Sequence, residues 1–334
     1  MVEQYQVTEH RLLDLTGAPK NAELQEAILK TYYYVRDHKK ILCSVSGGYD
    51  SDIMLDMIER CGGHGKTAYV FNDTGLEYEA TKRHLHELEK SYSIEIMYLK
   101  PKKPIPVCIK TYGVPFWSKY VSQMISRLQK HGFTWEDKPF EVLYRQYPRN
   151  KSSLRWWCND FKSVKGGVSR FNIEYVRGLK EFMISNPPNF AISPKCCDYA
   201  KKNPTHDYLK AGGFDLNCVG VRRCEGGARA TAYTSCYDKG WYEADQYRPL
   251  FWTTDREKDI YRAHYGIRRS DCYEVWGMKR TGCAGCPFGK DFEQELLLTE
   301  RYEPNMNRAM KALFGESYDY TRRYLEFRRQ MKEE

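Results

Sequence analysis

Apolar residues along the chain fall into short blocks separated by helical stripes. Ile41-Leu42-Cys43-Ser44-Val45, Thr67-Ala68-Tyr69-Val70-Phe71 and Ile94-Glu95-Ile96-Met97-Tyr98-Leu99 have the length and composition of strands. Between the first two, Ile53, Met54, Met57 and Ile58 recur on one helical face; between the last two, a helix is predicted from about Tyr78 to Tyr92. Another helix is expected ahead of the first strand, from about Asn21 to His38. A β-α-β-α-β run with short loops predicts an α/β fold, a doubly wound and mostly parallel sheet. Pro101 to Pro194 is less regular and reads as a helical insertion, with Pro187, Pro188 and Pro194 as local breakers. Helices are expected again from Phe292 to Glu334. The expected divisions are a nucleotide-binding core over 1–100, the insertion over 101–195, the remainder of the core over 196–290, and basic C-terminal helices over 291–334.

The connection after the first strand reads Ser46-Gly47-Gly48-Tyr49-Asp50-Ser51. Two glycines let the backbone approach an anion, and the loop and helix-start amides point at negative charge. The second strand runs into Asn72-Asp73-Thr74-Gly75-Leu76-Glu77. In parallel sheets ligands sit at the carboxyl ends of strands, which is where both segments fall.

SGGxDS resembles the pyrophosphate loop of ATPases that cleave ATP between the α and β phosphates. Asp73 to Thr81, reading DTGLExxxT, is similar to a second motif of the sulfonucleotide (PAPS and APS) reductase family. Gly220-Val221-Arg222-Arg223-Cys224-Glu225, with Arg229 beyond it, resembles that family's Arg-rich stretch near the nucleotide, and Arg248-Pro249-Leu250-Phe251-Trp252-Thr253 its "PL…W" segment. The resemblance covers about residues 35–290. It implies that Ser46, Gly47, Gly48 and Ser51 hold the pyrophosphate of ATP or a related sulfonucleotide. Asp50 orients the loop or binds Mg²⁺. Asp73, Thr74 and Gly75 lie against ribose or α-phosphate, with Glu77 bracing that loop. Arg222, Arg223 and Arg229 neutralise charge that develops on the α-phosphate, and Gly220 lies with them at the nucleotide. Asp50, Asp73 and Arg222 are the residues expected at the chemistry.

Twelve cysteines are a high usage for 334 residues. The N-terminal stretch is polar and mixed, and no apolar run approaches the ~18 residues of a membrane helix. A cytoplasmic chain with reduced thiols and no membrane association is therefore expected. Cys43, Cys61 and Cys108 read as small core residues, and Cys218, Cys224 and Cys236 as packing. Cys196-Cys197 and Cys283-Ala284-Gly285-Cys286 differ, because four thiolates in this order suit structural zinc or an iron–sulfur centre equally. The pattern resembles the [4Fe–4S] site of the iron–sulfur sulfonucleotide reductases, which tips the expectation to a cluster on Cys196, Cys197, Cys283 and Cys286. Cys158 and Cys272 are alternatives for one of these ligands.

The thiol-dependent reductases that this chain resembles carry a nucleophilic cysteine in a short C-terminal tail. Here the 48 residues after Cys286 hold no cysteine, and the tail reads as a basic amphipathic helix. This departure turns the expectation to the sulfur-inserting branch, which adenylates a nucleic-acid oxygen with ATP and replaces it with sulfur, as in DNA phosphorothioation or tRNA thiolation. A sulfonucleotide reductase using a thiol in trans, and a non-catalytic nucleotide-binding subunit, stand as alternatives. A cysteine desulfurase is the natural sulfur donor, and relatives of this kind are commonly homodimers.

Lys and Arg number 53 against 44 Asp and Glu, a net charge of +9, which favours a polyanionic partner only weakly. The insertion interleaves Trp117, Trp135, Trp156 and Trp157 with Arg145, Arg149, Lys151 and Arg155. That composition suits either base stacking with phosphate contact or an aromatic subdomain core.

Overall fold

The computed structural model describes residue 9 and residues 11–163, 166–225, 232–289 and 291–333. The chain divides into two compact units, each assembled from two segments: 1–102 with 200–283, and 103–199 with 284–334.

In chain order the first unit opens with α1 (Ala22–Asp37), β1 (Ile41–Ser44), α2 (Tyr49–Ile58), β2 (Thr67–Asn72), α3 (Glu79–Tyr92) and β3 (Ile96–Leu99). The second unit supplies α4 (Ile105–Tyr112), α5 (Lys119–Lys130), α6 (Phe140–Gln146), α7 (Lys151–Trp157) and α8 (Leu179–Ser185). The first unit resumes with α9 (Asn203–Gly212), β4 (Leu216–Cys218), β5 (Tyr237–Trp241), β6 (Ala244–Tyr247), α10 (Asp255–Tyr265) and α11 (Asp271–Glu274). The second closes with α12 (Phe292–Tyr302) and α13 (Pro304–Glu333).

The six strands form one sheet in the order β3-β2-β1-β4-β6-β5, parallel except for the edge strand β5. The fold is therefore α/β with a mostly parallel sheet. β1 pairs with β2 from Ile41↔Thr67 to Ser44↔Val70 and with β4 from Ile41↔Leu216 to Cys43↔Cys218. Its side chains are buried on both faces: Ile41 and Cys43 join Ile53, Met54 and Tyr69, while Leu42 packs with Val70, Leu209 and Phe214. Covering both faces explains the unbroken apolar runs of β1 and β2. Successive connections lead from β1 to β2 and β3 on one side, whereas β4 lies on the other. That reversal of strand order opens a crevice at the carboxyl ends of β1 and β4.

The second unit has its own aromatic core. Trp156 and Trp157 are fully buried and Trp135 nearly so, packed with Phe133, Phe182, Tyr320 and Tyr324. Trp117 is partly buried, edge-on to Tyr324 with ring centroids 5.0 Å apart. Trp135, Trp156 and Trp157 are thus core residues rather than stacking surfaces, and Trp157 satisfies its indole by donating to the Glu136 carbonyl at 2.8 Å. α13 is amphipathic as expected, with Tyr318, Tyr320 and Tyr324 buried and Arg322 and Arg323 exposed. Because those tyrosines complete the insertion's core, 284–334 and 103–199 form one unit where the sequence reading drew separate segments.

Trp157→Ala is expected to destabilise the second unit by about 3–5 kcal/mol, measured as a lowered midpoint in denaturant unfolding.

Candidate nucleotide site

The loop after β1 is organised by one hydroxyl. Ser51 Oγ accepts the backbone N–H of Ser46 at 3.1 Å and of Gly48 at 3.2 Å, and donates to the Gly48 carbonyl at 2.7 Å. The hydroxyl of Ser46 lies 3.1 Å from the same oxygen. Gly48 is the N-cap residue of α2 in extended conformation, so the first amides of the helix face the loop. Gly47 has φ +63°, and a Cβ there would stand 2.8 Å from Thr81 Cγ2. Only glycine meets both demands.

Across the crevice the segment after β4 closes on this loop. A Cβ placed on Gly220 would sit 3.7 Å from the backbone of Asp50. Arg222 Nε donates to Asp50 Oδ2 at 3.1 Å, and Lys258 Nζ from α10 donates to Asp50 Oδ1 at 2.6 Å. Asp255 lies 3.0 Å from Arg222 Nη2 and 3.2 Å from Lys258 Nζ. Arg222 Nη1 also donates to Cys224 Sγ at 3.0 Å. Arg222 and Lys258 are both buried. Burial disfavours the guanidinium charge, but Asp50 and its neighbours outweigh that and hold the Arg222 pKa above its ordinary value. Each oxygen of Asp50 thus accepts from one cation, an arrangement that fits the loop-orienting role expected of this carboxylate. Arg223 donates its backbone N–H to the Phe251 carbonyl at 2.9 Å and sets its guanidinium 5.1 Å over the Trp252 ring. Arg229 lies outside the described residues.

The loop after β2 is braced from within. Glu77 is buried and accepts the Thr74 N–H at 3.1 Å, the Thr74 hydroxyl at 2.5 Å and the Gly75 N–H at 2.9 Å. Burial pushes its carboxyl above the usual range, with those hydrogen bonds pulling back. Asp73 pairs with Lys100 and accepts the Gly75 N–H at 3.3 Å. Burial opposes ionisation of Asp73, but Lys100 prevails and its pKa is lowered.

Several members of the site carried no readable motif. Lys258 and Asp255 lie in an ordinary capped helix start. Thr281 bonds to Tyr273 at 2.9 Å, and both hydroxyls would lie 3.3 Å from a Cβ on Gly48. Beneath the loop, Asp52 is fully buried and hydrogen-bonded to His84 Nε2 on α3 at 2.8 Å, with Ser51 Oγ 3.4 Å away. Burial drives the Asp52 carboxyl up, His84 pulling it partly back. On His84, burial opposes the charge and Arg268 adds to that. Asp52 and the more distant Glu87 outweigh both and raise the imidazole above 6.5.

The expected cysteine quartet is divided. Cys283 belongs to the first unit, 3.6 Å from the Thr74 hydroxyl, while Cys196, Cys197 and Cys286 belong to the second. Among the described residues no three His, Cys, Asp or Glu side chains gather as a metal-holding group. Cys272 is buried beside Thr81, its sulfur 3.7 Å from the hydroxyl. Cys158 donates towards the Lys138 carbonyl at 3.7 Å, and burial pushes its thiol up to about 11.

Residues 40–134 match the family model described as the phosphoadenosine phosphosulfate reductase domain. Over 82 residues the chain is 33% identical to an uncharacterized protein of Methanocaldococcus jannaschii, a match covering 25% of this chain and 17% of that protein. Among solved structures, a phosphoadenylyl-sulfate (PAPS) reductase from Candida auris is similar at 12% identity, over 81% of this chain and 93% of the other, with TM-score 0.43. An FMN adenylyltransferase of Candida glabrata gives 10% identity, 79% and 68% coverage and TM-score 0.36. The U34-tRNA thiolase NcsA of Methanococcus maripaludis, with its [4Fe-4S] cluster, gives 12%, 89% and 78%, and 0.34. No helix among the described residues is long and apolar enough to cross a membrane.

Glu77→Ala strands the buried amide and hydroxyl of Thr74, so a loss of about 2 kcal/mol in unfolding free energy is expected, together with weakened nucleotide binding in equilibrium dialysis. Because the folded His84 pKa lies above 6.5, its stabilising contribution is complete below about pH 6.5 and is lost as pH rises through the raised value. The melting temperature of the native chain should fall across that window, and His84→Gln should flatten the dependence.

Proposed function

We propose that this chain, whose residues 40–134 match the phosphoadenosine phosphosulfate reductase domain, is an ATP pyrophosphatase that adenylates an acceptor oxygen, the acceptor being a nucleic acid destined for sulfur insertion. The observation that carries this reading is the convergence of the Gly47–Gly48 loop, Arg222 and Lys258 on one crevice. Amides of the loop and of the α2 start hold the pyrophosphate portion of ATP. Arg222 and Lys258, kept in place by Asp50 and Asp255, stabilise charge that builds on the phosphates. The acceptor oxygen attacks the α-phosphorus, a P–O bond forms, and the α–β bridging oxygen leaves with pyrophosphate. A persulfide sulfur, delivered by a cysteine desulfurase, then displaces AMP from the adenylated carbon or phosphorus, its own S–S bond being cleaved by an external thiol. A [4Fe–4S] centre on Cys196, Cys197, Cys283 and Cys286 rests on the cysteine pattern of the sequence alone, and no step above uses it.

A second reading, sulfonucleotide reduction, is favoured by the position of Cys283 beside Thr74. A thiolate there would attack the sulfur of the sulfonucleotide and release the nucleotide, and thioredoxin would then release sulfite.

Asp50→Asn should lower pyrophosphate release from ATP by about 10²-fold or more, because one weakened acceptor loosens both cations. Unchanged turnover in this variant sinks the proposed mechanism. Sulfite formation from a sulfonucleotide and thioredoxin, lost in Cys283→Ser, would select the second reading instead.

A further inference from the structure

The second unit carries an aromatic and cationic cluster at the end of α4, in which Tyr112, Tyr199 and Lys103 are half-buried and Lys195 is exposed. The rings of Tyr112 and Tyr199 are parallel, 1° apart in orientation with centroids separated by 5.5 Å, and their hydroxyls are 3.1 Å apart. Lys103 Nζ donates to the Tyr112 hydroxyl at 2.9 Å and stands 4.6 Å and 5.1 Å from the two ring centroids. Lys195 Nζ stands 4.3 Å over the Tyr112 ring. Among the described residues, neither lysine has a carboxylate partner. Both cations therefore spend their charge on aromatic faces and a phenol, contacts that an incoming anion can share or replace.

The cluster is held rigid. Gly113 ends α4 with φ +106°, where a Cβ would meet the Ala191 carbonyl at 2.2 Å. Val114 pairs with Ile192 as a parallel bridge, Val114 N–H donating to Ala191 O and Ser193 N–H to Val114 O, each at 2.9 Å. One backbone pairing thus fixes the residues leading out of Tyr112 and those leading into Lys195. Such pre-ordering lowers the cost of binding.

We propose that Tyr112, Tyr199, Lys103 and Lys195 form a docking platform for single-stranded nucleic acid. Paired phenol rings accept bases on their faces while the two ammonium groups meet successive phosphates. A duplex hides its base faces, and a phosphopeptide offers phosphate without a stacking partner at each step. The platform adjoins the helical turn Lys195–Cys197, so a strand held here passes beside Cys196 and Cys197. This assignment rests on the reading in which the acceptor is a nucleic acid, and it gives that partner a surface distinct from the tryptophans buried in the core.

The test is fluorescence anisotropy with the full chain and a labelled single-stranded oligonucleotide longer than about 16 nucleotides, in the absence of ATP, with ATP binding measured separately. Lys103→Glu with Lys195→Glu should weaken binding at least about tenfold and reduce the salt slope by about 1.4, while Lys103→Arg with Lys195→Arg keeps it. Tyr112→Leu with Tyr199→Leu should weaken binding by about 5- to 100-fold at an unchanged salt slope. Native ATP binding in each variant shows that the fold is intact. Native oligonucleotide affinity in the charge-reversed or tyrosine variants overturns the platform, as does a chain that binds ATP but no oligonucleotide. Loss of ATP turnover with oligonucleotide binding intact removes the pyrophosphatase reading and supports the platform.

Discussion

The carboxylate of Asp50 is the contact on which the site depends. It accepts from Arg222 at 3.1 Å and Lys258 at 2.6 Å, and so ties the start of α2 to the segment after β4 and to α10. The two cations are buried, and without Asp50 they would keep only the exposed Asp255 as a carboxylate partner, at 3.0 Å and 3.2 Å. Asp50 holds Arg222 and Lys258 beside a loop of amides, and in the proposed function a phosphate entering the crevice would meet donors already oriented, the condition for strong electrostatic stabilisation.

That contact is available only because of the sheet order. β1 lies between β2 and β4, both parallel to it, so the loops leaving β1 and β4 diverge from one crevice. Gly47 and Gly220 keep side chains out of it, and Ser51 uses its hydroxyl to gather the amides of Ser46 and Gly48. The loop after β2 is tied by a separate device, the buried Glu77, which satisfies Thr74 and Gly75. Each loop is thus ordered by its own carboxylate or hydroxyl, and the ligand is not needed to shape it.

The aromatic content of the insertion divides by burial. Trp135, Trp156 and Trp157 fill a core completed by Tyr320 and Tyr324 from α13, whereas Tyr112 and Tyr199 are half-buried and hold Lys103 and Lys195 against their rings. A tryptophan's large apolar area favours burial once its indole N–H has an acceptor, as Trp157 has in Glu136. The hydroxyls of Tyr112 and Tyr199 bond to each other, and that of Tyr112 also accepts from Lys103.

The sequence by itself determined the strand-loop-helix repeat, the two motif loops and the parallel character of the sheet. These are written in contiguous residues, in apolar runs of strand length and in glycines with backbone demands. It also carried Arg222 through a motif. Only the tertiary structure decided that Lys258 and Asp255 share that charge network, that Asp52 and His84 pair beneath the loop, and that Trp135, Trp156 and Trp157 are core. It likewise divided Cys283 from Cys196, Cys197 and Cys286 between the two units. The reason is distance along the chain. Asp50 and Lys258 are separated by 208 positions, and no local propensity encodes a contact of that span; it exists because strand order brings β1 and β4 side by side.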